Sequence, residues 1–140
     1  PHQIKEFEET VRIEPTFAGG YFNLGIAYAA QQSHQEAEKK YNQALQIDPE
    51  YPDAHYYMAL SYNISKRYQE SIRMFKEAIR LDPANADAHY ILGLTYLKLN
   101  HYQEAIMHLE KALSINPKPI KSKSEKIIHP NWFSTIFKLT

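Results

Sequence analysis

Prolines stand at positions 15, 49, 83 and 117, so every interval between them is 34 residues. A fixed period of that length marks a chain built from stacked copies of one helical hairpin. Each copy has an apolar face that only its neighbours can bury, so stability is shared between adjacent units. The period also turns the search for function away from a catalytic centre and towards a surface, because solenoids work by presenting extended concave faces.

The same chemistry recurs at the same distance before each proline. Five residues back are Ala44, Ala78 and Ala112; eight back are Tyr41, Phe75 and Leu109, with Phe7 in a first partial copy. Twelve back are Ala37, Ser71 and Ala105, and twenty-one back are Tyr28, Tyr62 and Tyr96. Gly25, Ala59 and Gly93 lie twenty-four back, each preceded by Leu24, Met58 or Leu92. Small side chains let two helices approach closely, and the bulky ones fill the space beside the contact.

This alternation of small and large residues closed by a proline resembles the tetratricopeptide repeat family. The resemblance covers residues 1–119: the second helix of a truncated repeat (1–17) and three full repeats (18–51, 52–85 and 86–119). It implies an all-α fold, a right-handed superhelical solenoid of antiparallel helix pairs. Helix A of each repeat is expected near 18–31, 52–65 and 86–99, and helix B near 35–48, 69–82 and 103–116. Turns are expected at Gln32-Ser33-His34, Lys66-Arg67-Tyr68 and Asn100-His101-Tyr102. Asp48 and Asp82 should end their helices, because the residue before a proline is pushed out of the helical region. Pro52 suits the first position of its helix, where the missing N–H would have no partner. Gln3 and Thr10 occupy the two small sites of the truncated copy, so that helix should pack less well.

The resemblance also implies where a ligand would bind, along helix A positions 2, 5, 6, 9, 12 and 13. In the first repeat these are Gly19, Phe22, Asn23, Ile26, Ala29 and Ala30; in the second, Asp53, Tyr56, Tyr57, Leu60, Asn63 and Ile64. The third repeat supplies Asp87, Tyr90, Ile91, Leu94, Leu97 and Lys98. Family members that grip acidic chaperone tails use a lysine–asparagine clamp, but Phe22, Ile26, Tyr57, Asp87 and Ile91 stand at the matching positions. The asparagine ladder of the sugar-transferring members is broken too, since Asn23 is followed by Tyr57 and Ile91. An apolar, tyrosine-rich groove suits an apolar or amphipathic peptide of another protein, with tyrosine hydroxyls for orientation. The alternatives are a scaffold that oligomerises through its ends or tail, and the targeting arm of a larger enzyme.

Other chemistries find little support. Asp53 and His55 recur as Asp87 and His89 one period later, and residues i and i+2 do not share a helix face. Neither pair is expected to hold a metal. No Gly-rich phosphate loop and no nucleophile–histidine arrangement is present, so neither catalysis nor a cofactor is expected. Residues 1–117 carry 11 basic and 15 acidic side chains, the wrong balance for nucleic acid, which needs clustered cations. No apolar run approaches the roughly 18 residues of a membrane span. The absence of cysteine and of an apolar leader fits a reducing, cytoplasmic setting, and an opening on Pro1 within a repeat suggests a fragment.

The period breaks after Pro117. Residues 118–140 hold five lysines against Glu125, so 120–140 reads as a basic linker followed by a short helix beginning near Pro130. Trp132, Phe133, Ile136 and Phe137 fall on one face of that helix. Residues 130–139 could cap the last repeat, occupy the apolar groove, or drive self-association.

Overall fold

Helical periodicity in the apolar residues folds nearly the whole repeating region. The structure, a computed structural model, describes residues 2–117. Among these residues there are seven α-helices and no strand: α1 (His2–Ile13), α2 (Ala18–Ala30), α3 (His34–Ile47), α4 (Pro52–Ile64), α5 (Tyr68–Leu81), α6 (Ala86–Lys98) and α7 (Tyr102–Ile115). Helices A and B of the three full repeats are the pairs α2–α3, α4–α5 and α6–α7. The readings made above for residues 118–140 lie outside the described residues.

The turn inside each pair is closed by the same backbone pattern. Gln32, Lys66 and Asn100 have φ of 65°, 63° and 61°, one left-handed residue per repeat at the 34-residue period. After each, an N–H reaches back five residues, from Ser33 to Tyr28 O (2.9 Å), Arg67 to Tyr62 O (2.8 Å) and His101 to Tyr96 O (2.9 Å). The left-handed residues donate to Ala29, Asn63 and Leu97 carbonyls at 2.9–3.0 Å. These two bonds form a Schellman motif, which satisfies carbonyls that the helix end would otherwise leave open. The motif ends helix A one residue earlier than expected. Helix B starts one residue early as well, so His34, Tyr68 and Tyr102, expected in turns, are the first helical residues.

Between repeats the prolines behave as the sequence indicates. Asp48 and Asn116, each preceding a proline, are extended, with φ of −133° and −136°. Pro52 opens α4. The histidines explain how the next helix is seated: His55 Nε2 lies 2.9 Å from Pro49 O, and His89 Nε2 lies 3.2 Å from Pro83 O. Each ring donates its N–H to the carbonyl of the proline before its helix. Asn85 adds a side-chain cap to α6, accepting from Ala88 N at 3.0 Å.

The chain divides into two compact units, Pro1–Leu81 and Asp82–Thr140. In the first, α1 contributes Ile4 to a small cluster with Leu24 and Ala27, flanked by Phe7, Val11 and Tyr28. Further along, Ala37, Tyr41 and Met58 join α3 to α4. A Cβ on Gly25 would lie 2.3 Å from Tyr41 Cε1, so the glycine is what lets the Tyr41 ring come this close to α2. In α5, Ser71, Phe75 and Ala78 form the buried stripe facing α4. In the second unit Gly93 has the matching role, since a Cβ there would lie 2.7 Å from Leu109 Cγ. No helix among the described residues is long and apolar enough to cross a membrane.

Candidate functional site

The helix A positions of the first unit build an aromatic floor across α2 and α4. Phe22 sits 5.6 Å from Tyr57, ring centre to ring centre and edge to face, and 5.1 Å from Tyr51. Tyr57 in turn meets Tyr56 at 5.2 Å, and Tyr56 meets Phe75 of α5 at 5.9 Å. Edge-to-face packing at these distances holds the rings in fixed orientations. Phe22, Ile26, Ala29 and Tyr57 rest on the Ala37–Tyr41–Met58 cluster with part of each side chain still exposed. Leu60 is half-buried, whereas Asn23, Asp53 and Ile64 are exposed. Tyr51, which precedes Pro52 and lies outside the helix A positions, was missed by the sequence reasoning; an aromatic residue beside a helix-opening proline was the available signal.

Beneath this floor lies Tyr41, with no exposed surface and its hydroxyl lacking a hydrogen-bond partner. Burial, with a smaller contribution from neighbouring Tyr57, pushes its ionisation well above the usual tyrosine range. Tyr51 is also raised, first by burial and then by Asp53 and Asp48. The site is therefore a neutral, apolar surface with acidic groups at one rim.

Asn63 turns aside from this surface. Its Nδ2 donates to Ser71 Oγ at 3.2 Å, and that hydroxyl donates to Ala59 O at 2.9 Å. The equivalent pairs are Ala29/Ala37 in the first repeat and Leu97/Ala105 in the third, so polar residues were exchanged together. The signal was legible, because the antiparallel register that sets Gly25 against Tyr41 also sets position 63 against 71.

In the second unit the corresponding positions are closed. Tyr90 and Ile91 have no exposed surface and Leu94 only 3%. Asp87 and Leu97 are half-buried, and Lys98 is exposed. On the other side of α6, His89 Nδ1 lies 3.2 Å from His108 Nδ1. Because His89 Nε2–H is committed to Pro83 O, its Nδ1 accepts and His108 Nδ1–H donates. His108 stacks on His89 and Tyr96 with centres 5.4 and 5.8 Å apart, and Tyr96 stacks on His101 at 5.9 Å. Burial lowers the His89 pKa below that of an ordinary histidine, Lys111 adds to this, and the bond to Pro83 opposes it. Among the described residues, no three histidine, aspartate or glutamate side chains converge as metal ligands would.

Comparison with known proteins gives a consistent picture. The model of the family described as "Anaphase-promoting complex, cyclosome, subunit 3" matches residues 24–112, more than half of the chain. A crystal structure of MamA superposes with a TM-score of 0.80 at 23% identity, covering 97% of this chain and 84% of that one. The crystal structure of YrrB, titled "a TPR protein with an unusual peptide-binding site", gives a TM-score of 0.75 at 26% identity. That match covers 79% of this chain and 57% of YrrB. No curated protein matches the chain. The fold is an all-α solenoid of tetratricopeptide helix pairs.

Proposed function

This chain belongs to the anaphase-promoting complex, cyclosome, subunit 3 family of tetratricopeptide-repeat proteins, and on that premise we propose that it is a non-catalytic protein-interaction module. Its ligand is an apolar or amphipathic peptide segment of another protein, held along α2 and α4. The observation that carries this reading is the ring cluster of Phe22, Tyr51 and Tyr57, which joins α2 to α4 while leaving part of Phe22 and Tyr57 exposed. Ile26 and Leu60 extend the apolar strip, and Asn23 and Asp53 stand at its edge as the polar groups that would fix a ligand's direction. YrrB, a structural relative described by its peptide-binding site, supports the assignment of a peptide as ligand.

The surface has the features of a hot spot. Aromatic side chains fixed by their neighbours lose little freedom on binding, so most of the gain from burying them is kept. Apolar area removed from water contributes about 25 cal/mol per Å², and truncating a central aromatic anchor costs about 2 kcal/mol or more. The test is to select peptides from a display library on the full chain and titrate the best one. Tyr57→Ala and Leu60→Ala are each expected to weaken binding at least about tenfold, equivalent to about 1.4 kcal/mol, with helicity by circular dichroism retained. Unchanged affinity in both variants would place the ligand on another face.

A further inference from the structure

His89 of α6 and His108 of α7 hold one proton between them. The His89 ring is buried and donates its Nε2–H to Pro83 O at 3.2 Å, which leaves Nδ1 as its lone-pair nitrogen. That nitrogen lies 3.2 Å from His108 Nδ1, so His108 carries the hydrogen between the rings. Facing the pair are Tyr96 of α6, which stacks on both His108 and His101, and Lys111 of α7, whose charge acts on His89. His101 itself is turned to Glu104, with Nδ1 to Oε2 at 3.5 Å. Among the described residues no carboxylate acts on His89 to offset Lys111. The second repeat gives the contrast. His55 bonds Pro49 O in the same way, but its buried Nδ1 has no partner, and Met74 stands where His108 stands one period later.

We propose that the two rings form a pH-sensitive clasp between α6 and α7, which keeps its bond through a first protonation and opens on a second. The neutral pair carries its ring hydrogens on His89 Nε2 and His108 Nδ1. The site that takes a further proton without disturbing the bond is His108 Nε2, and the Nδ1–H···Nδ1 contact then becomes charge-assisted. The next proton must go to His89 Nδ1. Two N–H groups would then face each other at 3.2 Å across two imidazolium charges, with the Lys111 ammonium near by, so the contact breaks. Histidines coupled in this way titrate in separate macroscopic steps that belong to the pair. In the unfolded chain they are independent, each near about pH 6.5. The unfolded chain therefore binds the second proton more readily than the folded one. Stability falls as the pH drops below that value, by at most about tenfold in the folding equilibrium per pH unit.

Long-range proton–nitrogen correlation spectra of the histidine rings test this on the full, unaltered chain. Above the histidine range, at about pH 8, His89 should be in the Nε2–H form and His108 in the Nδ1–H form. On acidification the pair should titrate in two steps separated by more than about one pH unit. Amide exchange in α7, corrected for its intrinsic pH dependence, should accelerate several-fold across the lower step and not across the upper one. His108→Phe keeps a ring against Tyr96 and removes both nitrogens, so His89 should then titrate in a single step. The spectra of the unaltered chain keep the test sound if that variant fails to fold. Two neutral rings both in the Nε2–H form overturn the proposal, as do rings that titrate independently. A split titration of His89 that persists in His108→Phe also overturns it, and so does amide exchange that is the same on either side of the lower step.

Discussion

Replacing Tyr41 by phenylalanine should make the protein more stable. The hydroxyl is buried without a hydrogen-bond partner, and leaving such a group unsatisfied costs about 1–3 kcal/mol relative to the hydrated unfolded chain. Removing one oxygen opens a void on the order of 10–15 Å³, which at about 24 cal/mol per Å³ returns only about 0.3 kcal/mol. The ring, which makes the contacts with Gly25 and Phe22, is unchanged. The net gain is about 1–2 kcal/mol. Urea unfolding followed at 222 nm should show a higher midpoint with an unaltered slope, and thermal unfolding should rise by about 2–8 °C. Alkaline pH sharpens the test. Tyr41 ionises in the unfolded chain near pH 10, but burial keeps it neutral in the folded one. Its folded pKa is raised, so its contribution is fully present below about pH 10 and is lost as the pH rises above that value. The advantage of Tyr41→Phe should therefore grow by about 1.4 kcal/mol per pH unit beyond pH 10. Tyr28→Phe is the control: its hydroxyl bonds Glu8 at 3.3 Å on the surface, so its effect at neutral pH should be close to nil. Equal or lower stability of Tyr41→Phe at neutral pH, with no added gain at high pH, would refute the reasoning.

Two further outcomes follow from the polar pairs. Ser71→Ala should cost about 1–2 kcal/mol in urea unfolding by removing the bonds to Asn63 and Ala59, while Asn63→Leu/Ser71→Ala, which copies the third repeat, should recover most of it. A coupling below about 0.5 kcal/mol in that cycle would mean that the two residues act independently. His89 has a lowered pKa, chiefly from burial and faced by His108 and Lys111 of α7. Its contribution is therefore present above the unfolded histidine value of about 6.5 and falls away as the pH drops below it. His89→Tyr, which repeats the residue type of Tyr21, should flatten the acid side of the stability profile measured between neutral and mildly acid pH.

Much of the architecture is written in the prolines and in the small sites. Their period places six of the helices to within one residue at either end, because helix termination by proline and close approach at Gly25 or Gly93 are local effects. Less legible was the detail that depends on carbonyl groups, which every residue has. The bonds from His55 and His89 to Pro49 and Pro83 leave no trace beyond the recurrence of histidine. Likewise Gln32 and Lys66 give no hint of positive φ; of the three, only Asn100 belongs to a type that readily adopts it. On the helix A face, the sequence names the candidate positions but not their exposure. Asn23 and Ile91 are equivalent in the repeat yet lie at opposite extremes of burial, and that difference depends on everything packed around them.

The turns that join each helix pair share one pattern of main-chain bonds, and this makes them the editable part of the molecule. Nothing in the pattern of Ser33 to Tyr28, Arg67 to Tyr62 and His101 to Tyr96 consults a side chain. The requirement at Gln32, Lys66 and Asn100 is only that the residue tolerate a left-handed backbone, which asparagine and glycine do most easily. A spectroscopic label, a cross-linker or a short recognition tag could be introduced beside any of them, one per hairpin, without disturbing the helix A face. Over evolutionary time the same freedom would let the three turns diverge while the prolines, glycines and alanines stayed in step.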